Sequence, residues 1–110
     1  MTLRERQSEF ARKVPLLILF AYELGYEITL GDAWAKVGHC DDSCHYIRLA
    51  IDLNLFKDGE YLTKTENHLP LGLFWESIGG SWGGRFGESS PGAGDGWDGN
   101  HYSLEWQGKK

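Results

Sequence analysis

Four side chains in this 110-residue sequence combine the types that hold and use a catalytic metal: His45, Asp52, Asp98 and His101. Imidazole nitrogens and carboxylate oxygens are the usual zinc ligands. Three of them with one open position leave room for a water whose pKa the metal lowers. His45, Asp52 and His101 would be the ligands. Asp98, three residues before His101 and next to Gly99, is placed to take that water's proton.

Such a site needs strands to bring its parts together. In "SCHYIRLAIDLNLF" (43–56), Ile47, Leu49, Ile51 and Leu53 alternate, which predicts a strand over about 46–54. The pleat turns these residues to the core and Tyr46, Arg48, Ala50 and Asp52 to the opposite face. In "HYSLEW" (101–106), a closing strand, Tyr102, Leu104 and Trp106 share one face; His101, Ser103 and Glu105 share the other. Two neighbouring strands then present Asp52 and His101 to one concavity. His45 stands seven residues before Asp52, an odd separation that puts it on the wrong face of a regular strand. It joins the others only from a preceding loop or across a bulge. Spacing alone leaves a plain alternative, because a lone Asp or His on an exposed sheet face is ordinarily just solvated.

The remaining elements follow from periodicity. Residues 4–24 read as a helix, with Phe10, Val14, Leu17, Ile18 and Ala21 on one stripe. Pro15 is expected to kink it or to mark the first turn of a second helix, and Gly25 to stop it. "YEITLGDAW" (26–34) reads as a strand, "KDGE" (57–60) as a turn, and Tyr61 and Leu62 as a short returning strand. A second helix is expected over 66–78. From Gly79 to Gly99 the chain is glycine-rich but carries Trp82, Phe86 and Trp97, so a structured loop is expected rather than a flexible linker. The order predicts a small α+β domain spanning 1–110: an antiparallel sheet with helices on one face and the zinc site on the open sheet face.

Composition narrows the function classes. One domain of this length holds a single modest core, helped by 14% aromatic content. A net charge of -5 offers no basic field for a nucleic-acid backbone. "PLLILFAY" (15–22) is too short to span a bilayer, and Glu23 follows with no small-residue cleavage site. A buried helix is expected there, with no signal peptide and no membrane insertion. Cys40 and Cys44 make no disulfide framework and are read as plain thiols. A rival metal reading takes His39, Cys40, Cys44 and His45 from "HCDDSCH" as a structural zinc set. Its adjacent pairs point apart, and tetrahedral sites draw a second ligand pair from a distant part of the chain.

The motifs resemble those of the zinc D-alanyl-D-alanine carboxypeptidase family, which includes vancomycin-resistance dipeptidases and many phage endolysins. The family's first motif, Ser-x-His-x-x-Gly-x-Ala-x-Asp, is matched by "SCHYIRLAID" at Ser43, His45, Ala50 and Asp52. Its second, an acid, two further residues and then the last zinc histidine, is matched by Asp98 and His101 in "DGNHYSLEW". The resemblance covers nearly the whole chain, and the short phage or prophage members look most similar. It implies Zn2+ on His45, Asp52 and His101, with Asp98 as general base. It also implies the peptide of bacterial peptidoglycan as substrate, cut at a bond next to a D-residue.

Ser43 looks like a hydroxyl that either faces the substrate or supports a ligand from behind, under that resemblance. The family's motif glycine is Arg48 here, which could pair with a substrate carboxylate or simply cover the sheet. The upstream arginine that often binds this carboxylate is not evident; Lys36 and Arg85 are the substitutes on offer. Glu105 could orient a ligand histidine. Trp82, Phe86 and Trp97 could wall the substrate groove, although packing that anchors the loop is the simpler role. D,D-carboxypeptidase, dipeptidase and L-alanyl-D-glutamate endopeptidase activities all stay open. The implied protein is a monomer that waits in the cytoplasm of the bacterial host until lysis, or rides in a virion. The alternative is a non-catalytic cell-wall-binding or tail structural module that keeps the fold.

Overall fold

Helix α1 (Leu3–Glu23) starts at a capping box: the Thr2 hydroxyl accepts the Glu5 N–H, and the Glu5 carboxylate accepts the Thr2 N–H. The computed structural model, which describes residues 1–39 and 43–110, carries α1 through Pro15 as one helix of 21 residues. Phe10, Leu17 and Ala21 are buried, and Val14 and Ile18 pack at the edge of the same core. Gly25, at φ 91°, adopts the left-handed turn that ends the helix.

Among the described residues five strands follow: β1 (Glu27–Leu30), β2 (Ala50–Lys57), β3 (Glu60–Leu62), β4 (Ser81–Trp82) and β5 (His101–Ser103). They form one antiparallel sheet in the order β1-β2-β5-β4, with β3 also paired to β2. β2 is the hub. β1 runs along one edge from Leu53 to Phe56, while β5 and β3 share the other edge, opposite Ala50–Asp52 and Leu55–Lys57 respectively. β1 ends at Leu30, short of the expected range 26–34, but Gly31 and Asp32 keep bonding to Asp52 through the backbone (2.8 and 2.9 Å).

α2 (Leu69–Ser77) follows a 3-10 turn over Thr65–His68, so the expected second helix is split at its start. Both helices cover one face of the sheet, where Phe10, Leu17, Leu53, Leu55, Leu71 and Trp75 form the core. The two core tryptophans satisfy their indole N–H groups on carbonyls. Trp75 donates to Ser103 (2.9 Å) and Trp82 to Gly99 (2.7 Å). The glycine-rich segment is ordered by those bonds and by Arg85, whose guanidinium bridges Glu76 (2.9 and 3.0 Å) and Glu88 (3.1 Å). The result is a single-domain α+β fold with an open sheet face.

Candidate metal centre

The residue that spacing could not seat on the strand, His45, sits in a 3-10 turn over Cys44–Ile47. The Ser43 hydroxyl caps this turn by accepting the His45 N–H at 3.2 Å. Arg48 closes it in the left-handed conformation, φ 58°, and reverses the chain into β2. Cys44 is wholly buried, with its thiol on the Leu104 carbonyl at 3.6 Å. With Cys44 anchored inward, His45 is turned the other way, onto the open face.

Asp52 and His101 are direct cross-strand partners in β2 and β5. Neighbouring strands bring facing side chains within reach. His45 Nε2 lies 3.1 Å from Asp52 Oδ1, and His101 Nδ1 lies 3.7 Å from the same oxygen. One ligand atom from each residue falls within 4.8 Å of the others, so His45, Asp52 and His101 could hold a metal ion. Asp98 approaches from the loop before β5, with its Oδ2 3.6 Å from His101 Nδ1. Gly83 permits that approach: a Cβ there would collide with the Asp98 carbonyl and come within 2.8 Å of the His101 Cβ.

Both histidines are almost fully buried, whereas Asp52 and Asp98 keep side-chain exposures of 20% and 30%. Burial, and then repulsion by His45, pushes the His101 imidazole down to about 4. A neutral imidazole is the form that ligates a metal. Burial and the adjacent Asp52 charge raise the Asp98 carboxyl above the ordinary carboxylate value. Among the described residues, His45 Nδ1 is buried without a hydrogen-bond partner.

These groups line a cleft of about 720 Å³, together with Ser43, His39, Phe86 and Trp97. The three loop aromatics therefore divide. Trp82 is a buried anchor, while Phe86, its ring 5.3 Å from His101, and the exposed Trp97 face the cleft.

Other expected positions fall elsewhere. Arg48 precedes β2, so the pleat does not put it on the site's face. It is exposed against α1, its guanidinium 4.5 Å over the Trp34 ring, in a groove with Phe10 and Val14. Arg85 is occupied by Glu76 and Glu88 and does not line the cleft. Glu105 lies past the end of β5, exposed, and its backbone carbonyl accepts from Arg6 at 3.1 and 3.2 Å. Of the rival set, Cys44 faces the core, His45 faces Asp52, and Cys40 lies outside the described residues. His39 was not expected in the cleft; no periodic or motif signal marks it apart from that rival grouping.

Among the described residues no helix is long and apolar enough to cross a membrane. No protein-family model matches the chain, and no curated protein matches it either.

Proposed function

We propose that this chain is a zinc-dependent hydrolase. More narrowly, we infer a peptidase acting on the stem peptides of bacterial peptidoglycan, at a bond next to a D-residue. The observation that carries the first step is the convergence of His45 Nε2, Asp52 Oδ1 and His101 Nδ1 in an open cleft, with the Asp98 carboxyl at their edge. Two imidazoles and one carboxylate suit zinc, whose hydrolytic sites use three protein ligands and one open position. The second step is supported by the two linked motifs, Ser43-x-His45 through Ala50-x-Asp52 and Asp98-x-x-His101.

Zinc held by His45, Asp52 and His101 would supply a Lewis acid for the scissile carbonyl and a water of lowered pKa. Asp98 would serve as general base toward that water and as general acid toward the leaving amine. Its raised proton affinity suits a group that must both take and give a proton. Phe86 and Trp97 form the cleft wall against which a peptide lies, and Ser43 offers a hydroxyl at its edge.

The test is digestion of purified sacculi alongside zinc stoichiometry. We expect one zinc per chain, new amino termini in the released fragments, and loss of release on chelation. Asp98→Asn is expected to keep zinc and lose about 10²–10⁴-fold in rate. Lysis that ignores both chelation and Asp98→Asn overturns the mechanism. A protein that binds zinc yet releases no ends is instead a wall-binding or structural module.

A further inference from the structure

His45 lacks the support that a ligand histidine ordinarily has. A metal-binding imidazole usually donates its second N–H to a carboxylate or carbonyl, which fixes the plane of the ring. Here His45 Nδ1 is buried and has no such partner among the described residues. Rotation about the ring's own bond would carry Nε2 away from Asp52, and among the described residues no hydrogen bond opposes it on the far side.

What faces the ring is another ring. His39 stacks on His45, with centroids 4.2 Å apart and planes 21° from parallel. His39 is itself held at three points. Its Nε2 lies 3.2 Å from Asp32 Oδ2. Its backbone N–H donates to the Tyr46 hydroxyl at 2.7 Å, and that hydroxyl donates to the His39 carbonyl at 2.6 Å. Both holders are tied to the site. The Asp32 carbonyl accepts the Asp52 N–H at 2.9 Å, and Tyr46 follows His45 in the same turn. A stacked face, fixed from two sides by the elements that carry the ligands, can do what the missing hydrogen bond would have done.

We propose that His39 is a positioning residue that sets the plane of the His45 imidazole for metal binding, by stacking. Asp32 and Tyr46 hold His39 in place for that task. The inference rests on the metal-site reading above, so its test carries one arm that needs no metal.

In the first arm, zinc affinity of the full chain is measured by competition with a chromophoric chelator. His39→Ala is expected to weaken binding about 10–100-fold, the usual cost of losing the group that orients a ligand. His39→Phe, which keeps an aromatic face but no nitrogen, is expected to stay within about threefold of wild type. Unchanged affinity in His39→Ala overturns the proposal. So does a His39→Phe as weak as His39→Ala, because His39 would then act through a nitrogen, as a further ligand. In the second arm, the His45 ring signals are followed by NMR in metal-free protein. They are expected to shift and broaden in His39→Ala and to sharpen again in His39→Phe; signals that do not respond overturn the proposal. Wild-type protein that binds no zinc overturns the metal reading alone, and the ring signals still decide the role of His39.

Discussion

Between pH 6.5 and 4 the folded protein is expected to lose about 3 kcal/mol of stability through one side chain, His68. His68 closes the 3-10 turn before α2 and is 3% exposed. Its Nδ1 lies 2.7 Å from the hydroxyl of the fully buried Tyr102. Burial alone pushes its pKa from 6.5 down to about 4. In the unfolded chain the imidazole keeps its ordinary value. The sign follows: above pH 6.5 neither state binds the proton and His68 contributes nothing to the pH dependence. As pH falls through 6.5 the unfolded chain takes up a proton that the folded protein refuses, and stability drops with each step. Below about 4 both states are protonated and the loss is complete. At about 1.4 kcal/mol per tenfold change in proton affinity, the separation gives about 3 kcal/mol. His101 titrates in the same direction in metal-free protein, so wild type alone does not isolate His68. The assay is therefore urea unfolding of metal-free wild type and His68→Gln at a series of pH values. At neutral pH the variant is expected to be less stable, because Gln fits the site less well. Its curve should fall less steeply, converging on or crossing wild type by about pH 4. Two parallel curves would refute the reasoning, since they would mean that His68 is protonated as easily in the fold as outside it.

Gly83→Ala is expected to cost on the order of 1–3 kcal/mol, because its Cβ meets the Asp98 carbonyl backbone, which cannot turn aside as a flexible side chain would. Thermal melting checks the cost, and a variant as stable as wild type would mean that the Asp98 loop does not seat on Gly83. Under the proposed peptidase reading, the same variant should also slow sacculus digestion, since Asp98 is displaced from His45, Asp52 and His101. Arg85→Ala is expected to lower Tm by about 4–8 °C, the equivalent of about 1 kcal/mol in a domain this small. Its ion pairs tie the glycine-rich segment to α2 through Glu76. Digestion rate at a temperature where the variant is folded should change little. A large loss of rate at unchanged Tm would return Arg85 to a role in holding substrate.

The fold was legible where periodicity is unambiguous. The stripe on α1 lines the core, and the alternation around Asp52 puts Leu53 and Leu55 inside with Asp52 on the other face. It misled where two structures share one burial pattern. Leu49 is buried and Ile47 is half-buried, as a strand would require, yet both precede β2 and Ile47 belongs to the 3-10 turn. Alternation cannot separate these cases. Only the left-handed Arg48, a conformation that its residue type does not announce, marks the boundary. Arg48 was misplaced for that reason, and Glu105 for a related one: β5 stops at Ser103, so parity counted onward from His101 no longer applies. The need for a loop before Asp52 was legible from the odd separation of seven, whereas the identity of what steadies His45 was not. His39 reaches that ring through stacking and through backbone bonds to a tyrosine hydroxyl, contacts with no sequence period.

The register of β5 on β2 serves the core and the site at once. Ile51 opposes Tyr102 on the helix-covered face, and Asp52 opposes His101 on the open face. A slip of one residue exchanges the faces of every side chain on the moved strand. Here it would expose Tyr102, which is now wholly buried, and drive the His101 imidazole into the core. Several contacts oppose the slip independently. Trp82 is paired to Tyr102 from β4, the Tyr102 hydroxyl meets His68, and the Trp75 indole meets the Ser103 carbonyl. β2 is held from its other edge as well, by Gly31 and Asp32 on the backbone of Asp52. Hydrophobic burial thus enforces the alignment of two polar side chains that are themselves costly to bury. The same coupling implies that substitutions at Tyr102 or Trp82 should weaken the proposed metal binding along with stability, read by chelator competition and thermal melting.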